Sequence, residues 1–258
     1  MDKLVKGLVL RTVDIKESDR LITIFTEEEG TLTAVARGSR SLKSRKMSST
    51  MQFCYSSFVL YSQGDKYWVR EADLIESFYE IRNTIEGLAL ANYIAEVLSD
   101  VTVAEADRDL LRLSLNSLYA IGSGKYPIAQ IKAAFEIRAA SILGFMPDVL
   151  SCHICDGKQG DFFFDIMGGT VECADCRSRL AESGAEHPDP HESHILCILS
   201  EGAKAALGYC IFSPLERLFS FSISDEDMRL FTRAAEEYLV NQLGHSFRTL
   251  AFYNEVKR

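Results

Sequence analysis

No run of 18 apolar residues occurs in this 258-residue chain, and a membrane-crossing helix needs roughly that many. The first residues, Met1-Asp2-Lys3-Leu4-Val5-Lys6, run straight into a strand-like stretch. They carry no apolar signal core and no small-residue cleavage site, so export is not expected. No internal repeat stands out at a period of roughly 20–50 residues. Complete catalytic motifs are missing as well. Gly122-Ser123-Gly124-Lys125 resembles the end of a phosphate-binding loop, but Tyr126 stands where Ser or Thr is needed and Tyr119 where the first Gly belongs. His191-Glu192-Ser193-His194 is one residue short of the His-Glu-x-x-His zinc motif. Its two imidazoles would not fall one helical turn apart on a common face. The Glu186–His191 stretch around it reads as a solvated linker.

Positive charge is scarce and unevenly placed. Lys and Arg number 28 against 37 Asp and Glu, a net charge of −9, which argues against a uniformly basic nucleic-acid binder. Seven basic residues and one acid, Asp65, fall between Arg37 and Arg70. Five of the seven, Arg37, Arg40, Lys43, Arg45 and Lys46, lie in ten residues without any acid. Screening limits repulsion from remote charges to about 8–10 Å, so such a patch can still hold phosphate. A solvated loop without a partner is the plainer alternative.

What is present in quantity is apolar residues (47%) and seven cysteines, enough for a sizeable core. Residues 1 to about 80 read as five short strands: Val5–Val13, Arg20–Thr26, Thr31–Ala36, Gln52–Tyr61 and Lys66–Ile75, with a hairpin turn at Glu29-Gly30. Five strands with no helical period until the end indicate a small antiparallel barrel of the OB type; an SH3-like barrel fits the same pattern. Gly38–Ser49 is small, polar and basic and is expected to be a mobile surface loop. Tyr55, Tyr61, Tyr67 and Trp68 are candidate rings for stacking on bases, although strand alternation cannot place all of them outside.

From about residue 84 the period becomes helical. Helices are expected to end near Ser99, before Gly122 and at Gly144-Phe145-Met146-Pro147, with Pro127 in the first turn of the third. Two more are expected over His191–Gly208 and Ser224–Gly244, the last capped by Ser224. The fold class is therefore α+β: an OB-type barrel over 1–80, a nucleic-acid-binding domain, then a helical domain over 81–258. That helical domain is interrupted at about 148–180. There Cys152-His153-Ile154-Cys155 and Cys173-Ala174-Asp175-Cys176 stand 17 residues apart, the spacing of a structural zinc ribbon. Two knuckles supply the tetrahedron of thiolates that one Zn²⁺ accepts, with two disulfides or four unrelated thiols as the alternatives. His153, inside a knuckle, is a possible substitute ligand. Between the pairs, Gly157–Thr170 reads as a hairpin turning at Gly168-Gly169. A hairpin this small buries no core of its own, so metal ligation is expected to hold it. Cys54, Cys197 and Cys210 lie among apolar neighbours, as buried free thiols do, and together the cysteines favour a reducing cytoplasm.

Four stretches, taken in order, carry a family likeness: Asp14–Leu21, Phe25–Gly30, Ala36-Arg37-Gly38-Ser39-Arg40 with its basic continuation, and Gly144–Pro147 leading into the cysteines. Over nearly its full length the chain resembles the RecO family of bacterial recombination mediators. The resemblance implies a protein that binds single- and double-stranded DNA and anneals complementary strands. It implies RecR as a partner, and RecA loading onto DNA coated by single-strand-binding protein. By position, Cys152, Cys155, Cys173 and Cys176 match the family's zinc ligands, and Arg37, Arg40, Lys43, Arg45 and Lys46 its basic loop. The acidity of the chain departs from that picture and bears on how much of the helical domain can join DNA binding. No catalysis is implied. The competing classes are a zinc-dependent nucleic-acid hydrolase or deaminase and a zinc-ribbon adaptor that binds protein only. Four cysteines leave no open metal position for water, and the deaminase signature is absent.

Overall fold

The computed structural model describes residues 2–64, 66–101, 107–183 and 195–257. They separate into two compact units, residues 1–124 with 247–258, and residues 125–246. Asp65 and the stretch His191–His194 lie outside the described residues.

The first unit opens with a closed barrel of β1 (Asp2–Ile15), β2 (Asp19–Thr26), β3 (Gly30–Ala36), β4 (Cys54–Gln63) and β5 (Lys66–Ser77), in the order β1-β2-β3-β5-β4. All neighbours are antiparallel except β3 and β5, which pair in parallel through Ala34–Tyr67 and Val35–Trp68. This is the five-stranded OB-type barrel expected from the β-branched runs. Bulges at Val9–Arg11 in β1 and at two points along the β4–β5 pair supply the curvature that closure demands. The interior holds an apolar cluster: Val5, Val9, Ile22, Ile24, Ala34, Ala36, Phe58, Leu60, Val69 and Ala72 are buried, with Leu32 and Tyr67 packed on them.

After a 3₁₀ turn at Tyr79–Asn83 come α1 (Ile85–Val101) and α2 (Arg108–Ser123). Helix α2 runs one residue beyond Gly122, which the sequence had marked as its stop. The left-handed cap is Gly124, at φ 61°. A helix over Arg248–Val256 (α7), with too few apolar residues to announce itself, closes this unit. Phe247 packs edge-on against Tyr93 at 5.6 Å, and the Thr249 N–H donates to Glu96 at 2.9 Å.

The second unit is built round α3 (Ile128–Ile142), whose N-cap is Pro127. The sequence suggests a one-sided apolar helix. In the fold α3 is buried on nearly all sides, Gln130, Lys132 and Glu136 included. These polar groups are paired: Lys132 Nζ lies 2.8 Å from Glu136 and 2.7 Å from Glu236, and Gln130 donates to the carbonyls of Phe219 and Phe221.

A three-stranded antiparallel sheet of β6 (Phe162–Asp165), β7 (Thr170–Cys173) and β8 (Leu196–Leu199) follows in the order β7-β6-β8. Helix α4 (Ala174–Ser183) begins at the second cysteine pair. Then come α5 (Glu201–Phe212) and α6 (Asp225–Leu243), capped as expected by Ser224 and Gly244. Two expectations need correction here. Residues 195–208 do not form one helix: Leu196–Leu199 is a strand, and Ser200 caps a separate helix by accepting from the Ala203 N–H. The hairpin is not coreless either. Its third strand gives it a face on which Phe162, Phe164, Val171 and Leu199 are fully buried, with Phe164 5.2 Å from the Tyr238 ring of α6.

Candidate metal centre and nucleic-acid interface

The first knuckle is closed by backbone bonds from the Asp156 N–H to Cys152 O and from the Cys152 N–H to Gly157 O. The second sits where β7 becomes α4. Hydrogen bonds tie the two together: the His153 N–H donates to Val171 O at 2.9 Å and the Cys173 N–H to Cys152 Sγ at 3.3 Å. The hairpin turn at Gly169 needs a left-handed residue without a side chain. Its φ is 68°, and a Cβ there would stand 2.7 Å from the Tyr238 hydroxyl.

The result is convergence. The sulfurs of Cys152, Cys155, Cys173 and Cys176 all lie within 4.8 Å of one another, and those of Cys155 and Cys173 are 3.7 Å apart. Sulfurs about 2.3 Å from a shared ion at tetrahedral angles stand about 3.8 Å apart, so the set fits a metal. None of the four is in a disulfide. His153 stays outside the set, with Nδ1 3.2 Å from Val171 O. Burial acts to raise the Cys152 thiol, but N–H groups of Cys173, Ile154 and Cys155 outweigh it and hold the group down at about 6. Cys176 is pushed up to about 12, first by its bond with Cys155 and then by burial and the neighbouring sulfurs. Thiolates this close repel one another, and a divalent cation would offset two of the four charges. Arg179 adds a further donor to Cys176 Sγ at 3.1 Å. The other three cysteines, Cys54, Cys197 and Cys210, are buried free thiols, as expected.

The five cations of the barrel loop have separate fates. The segment is folded rather than loose: it is a chain of short turns closed by Ser41→Gly38, Ser44→Ser41, Met47→Ser44 and Thr50→Lys46 backbone bonds. It is pinned to the barrel by the Ser49 hydroxyl donating to Ala72 O at 3.0 Å. Asp19 anchors its start by accepting the Gly38 N–H at 2.8 Å, and that bond holds the Asp19 carboxyl below the usual range. Arg40 turns back to Asp14 (3.2 Å) and to the carbonyls of Lys16 and Glu17. Lys46 is half-buried and reaches Val69 O, burial lowering its affinity for a proton. Lys43 and Arg45 are exposed. Arg37 is exposed too, and its guanidinium lies 4.0 Å over the ring of Trp68.

That stacking picks out an outer face that residue types alone did not. Val13, Leu21, Val35, Trp68 and Tyr61 are consecutive partners across five strands and form one row around the barrel. Trp68 and Tyr61 stand directly opposite each other, with Arg70 5.2 Å over the Tyr61 ring. Of the other candidate rings, Tyr67 packs on the interior and Tyr55 is engaged by Glu27. Period-2 alternation from Phe58 and Leu60, had the core face been known, would have placed Tyr61 outside.

Fold and sites together define a barrel-plus-helices protein with a closed four-cysteine cluster and a cation-aromatic face on its barrel. The family described as "Recombination protein O N terminal" matches residues 1–78, and "Recombination protein O C terminal" matches residues 82–251. The chain is 34% identical over 254 residues to the DNA repair protein RecO of Acetivibrio thermocellus, covering 98% of this chain and 96% of that one. It is 32% identical to those of Clostridium kluyveri over 66% of this chain and 67% of that one, and of Caldicellulosiruptor saccharolyticus over 67% and 71%. The chain belongs to the RecO family of DNA repair proteins. Among the described residues no helix is long and apolar enough to cross a membrane.

Proposed function

We propose that this chain is a cytoplasmic recombination mediator, not an enzyme. On this reading residues 1–80 are its nucleic-acid-binding domain and 81–258 a helical domain held in part by one structural zinc. The protein binds single- and double-stranded DNA, anneals complementary strands and, with RecR, helps load RecA on DNA coated by single-strand-binding protein. The observation that carries the DNA-binding reading is the Arg37–Trp68 stack with Tyr61 opposite Trp68. A single strand needs cations for its backbone and flat rings for its bases; this face presents both, and Lys43 and Arg45 are exposed in the same loop as Arg37. Annealing then follows without bond chemistry: neutralising two anionic strands lowers the repulsion that keeps them apart. Cys152, Cys155, Cys173 and Cys176 would hold the zinc, and its four sulfurs complete the shell, so its contribution is to fix the knuckles.

The test is affinity against salt for short single strands and duplexes. Five phosphate contacts would give a single-strand slope of about −3.5, and Arg37, Lys43 and Arg45 alone, without the tied-back Arg40 and Lys46, about −2. Trp68→Ala should weaken single-strand binding by about 1–3 kcal/mol and duplex binding far less, because paired bases have no free face to stack. Equal single-strand affinity in Trp68→Ala would remove the stacking role. Annealing of DNA pre-coated with single-strand-binding protein, with and without RecR, tests the mediator step.

A further inference from the structure

At the far end of β5 the surface changes sign. Glu71, Asp73, Glu76 and, just beyond, Glu80 are all exposed, and the large apolar side chains Leu74, Ile75 and Tyr79 are exposed among them. Beside this acidic stretch lies a cleft of about 260 Å³ in the first unit. It is lined by Glu76, Phe78, Glu80, Leu118, Tyr119 and Gly122, with two serines. Its floor is apolar and rigid: Phe78 and Leu118 are buried. Gly122 lies inside α2, where a glycine costs about 1 kcal/mol relative to alanine. A Cβ at that position would press on the Glu80 Cβ at 3.2 Å, so the glycine keeps α2 close to the 3₁₀ turn and shapes the cleft.

The rim is built differently. Tyr119 is 71% exposed, and neither its hydroxyl nor the Glu80 carboxylate has a partner among the described residues. The cation next in sequence, Arg82, is turned away to Gln52 O and the Phe53 and Tyr79 rings. We infer that this cleft is a docking site for a protein segment that inserts an aliphatic or aromatic side chain between Phe78, Leu118 and Tyr119 and sets Lys or Arg against Glu76 and Glu80.

Three physical arguments choose that occupant. The cleft is smaller than the roughly 300–1,000 Å³ of small-molecule sites and suits one anchoring side chain. Four exposed acids repel a phosphate backbone, so nucleic acid is the wrong partner for this face. An exposed tyrosine at an apolar pocket rimmed by charge is the composition of an interface anchor, and opposite charge supplies orientation and encounter rate.

The experiment titrates the full-length protein by calorimetry with three amidated nonapeptides: Leu and Lys, Leu and Glu, and Ser and Lys. The Leu–Lys peptide is expected to bind, and Glu76→Lys with Glu80→Lys to weaken it at least about tenfold. Tyr119→Ala, which removes an exposed ring, should also weaken it and guards against a folding defect in the charge-reversed variant. The Leu–Glu peptide should not bind, and the Ser–Lys peptide should bind less tightly than Leu–Lys. Equal binding of all three peptides, or of Leu–Lys to wild type and both variants, would overturn the inference. So would self-association of the wild type that both variants abolish, which would make a second copy the occupant.

Discussion

The four cysteines and the five cations of the Arg37–Lys46 loop are equally conspicuous as residues, yet the fold treats them differently. All four sulfurs converge within 4.8 Å. Of the five cations, Arg40 and Lys46 fold back on backbone carbonyls and Asp14, whereas Arg37, Lys43 and Arg45 are exposed without such a tie. The difference lies in the side chains. A Cys-x-x-Cys knuckle aims two short side chains by local turn geometry, so spacing encodes where the sulfurs go. Lys and Arg carry long flexible stems, and a serine-rich chain of turns offers them nearby carbonyls. A charge run therefore reports composition but not presentation.

The largest effect expected from breaking this comparison lies in the cysteine segment's own core. Phe164→Ala removes a fully buried ring and should cost about 3–5 kcal/mol, read as a lowered melting transition with the barrel's hydrogen-exchange protection retained. Next comes Cys173→Ser with Cys176→Ser. This variant should lose its metal, measured by elemental analysis, and lose protection over residues 150–157 and 173–180. The β6-β7-β8 sheet keeps its buried face, so its stability loss should be smaller than that of Phe164→Ala, on the order of 2–3 kcal/mol, within the range of losing one native cross-link. If the cysteine variant is the more destabilised of the two, the metal rather than the sheet holds this segment.

Much of the architecture was legible because it is local. The β-branched runs gave five strands, and Ser224 and Gly244 bracketed α6 as capping chemistry predicts. What escaped depends on distant partners. Leu196-Cys197-Ile198-Leu199 is a four-residue apolar run, which periodicity cannot tell from a buried helical turn; it is a strand because β6 lies beside it. Helix α7 rests on Tyr93 and Glu96, about 150 residues away in the chain. The burial of Lys132 and Glu136 was invisible for the same reason, since Glu236 on α6 completes the pair. For the candidate DNA face, the sequence offered rings and cations only as a pool. Choosing Trp68, Tyr61 and Arg37 from it required the β3–β5 and β4–β5 registers.

The smallest effect separates presentation from composition directly. Arg40→Ala and the double change Lys43→Ala with Arg45→Ala both remove positive charge from one loop. If a tie back to the barrel keeps a cation from DNA, the double variant should flatten the single-strand salt slope by about 1.4, two contacts at about 0.7 each. Arg40→Ala should leave that slope nearly unchanged. Its cost should appear in the fold instead, because Arg40 ties the loop to Asp14 and the β1–β2 turn. An exposed pair of this kind contributes at most about 1 kcal/mol, so the loss of stability should be slight. Equal slope changes per charge removed would mean that Arg40 leaves Asp14 for phosphate when DNA arrives. The loop would then act as a reservoir of five cations, and the contrast with the cysteines would hold only for the free protein.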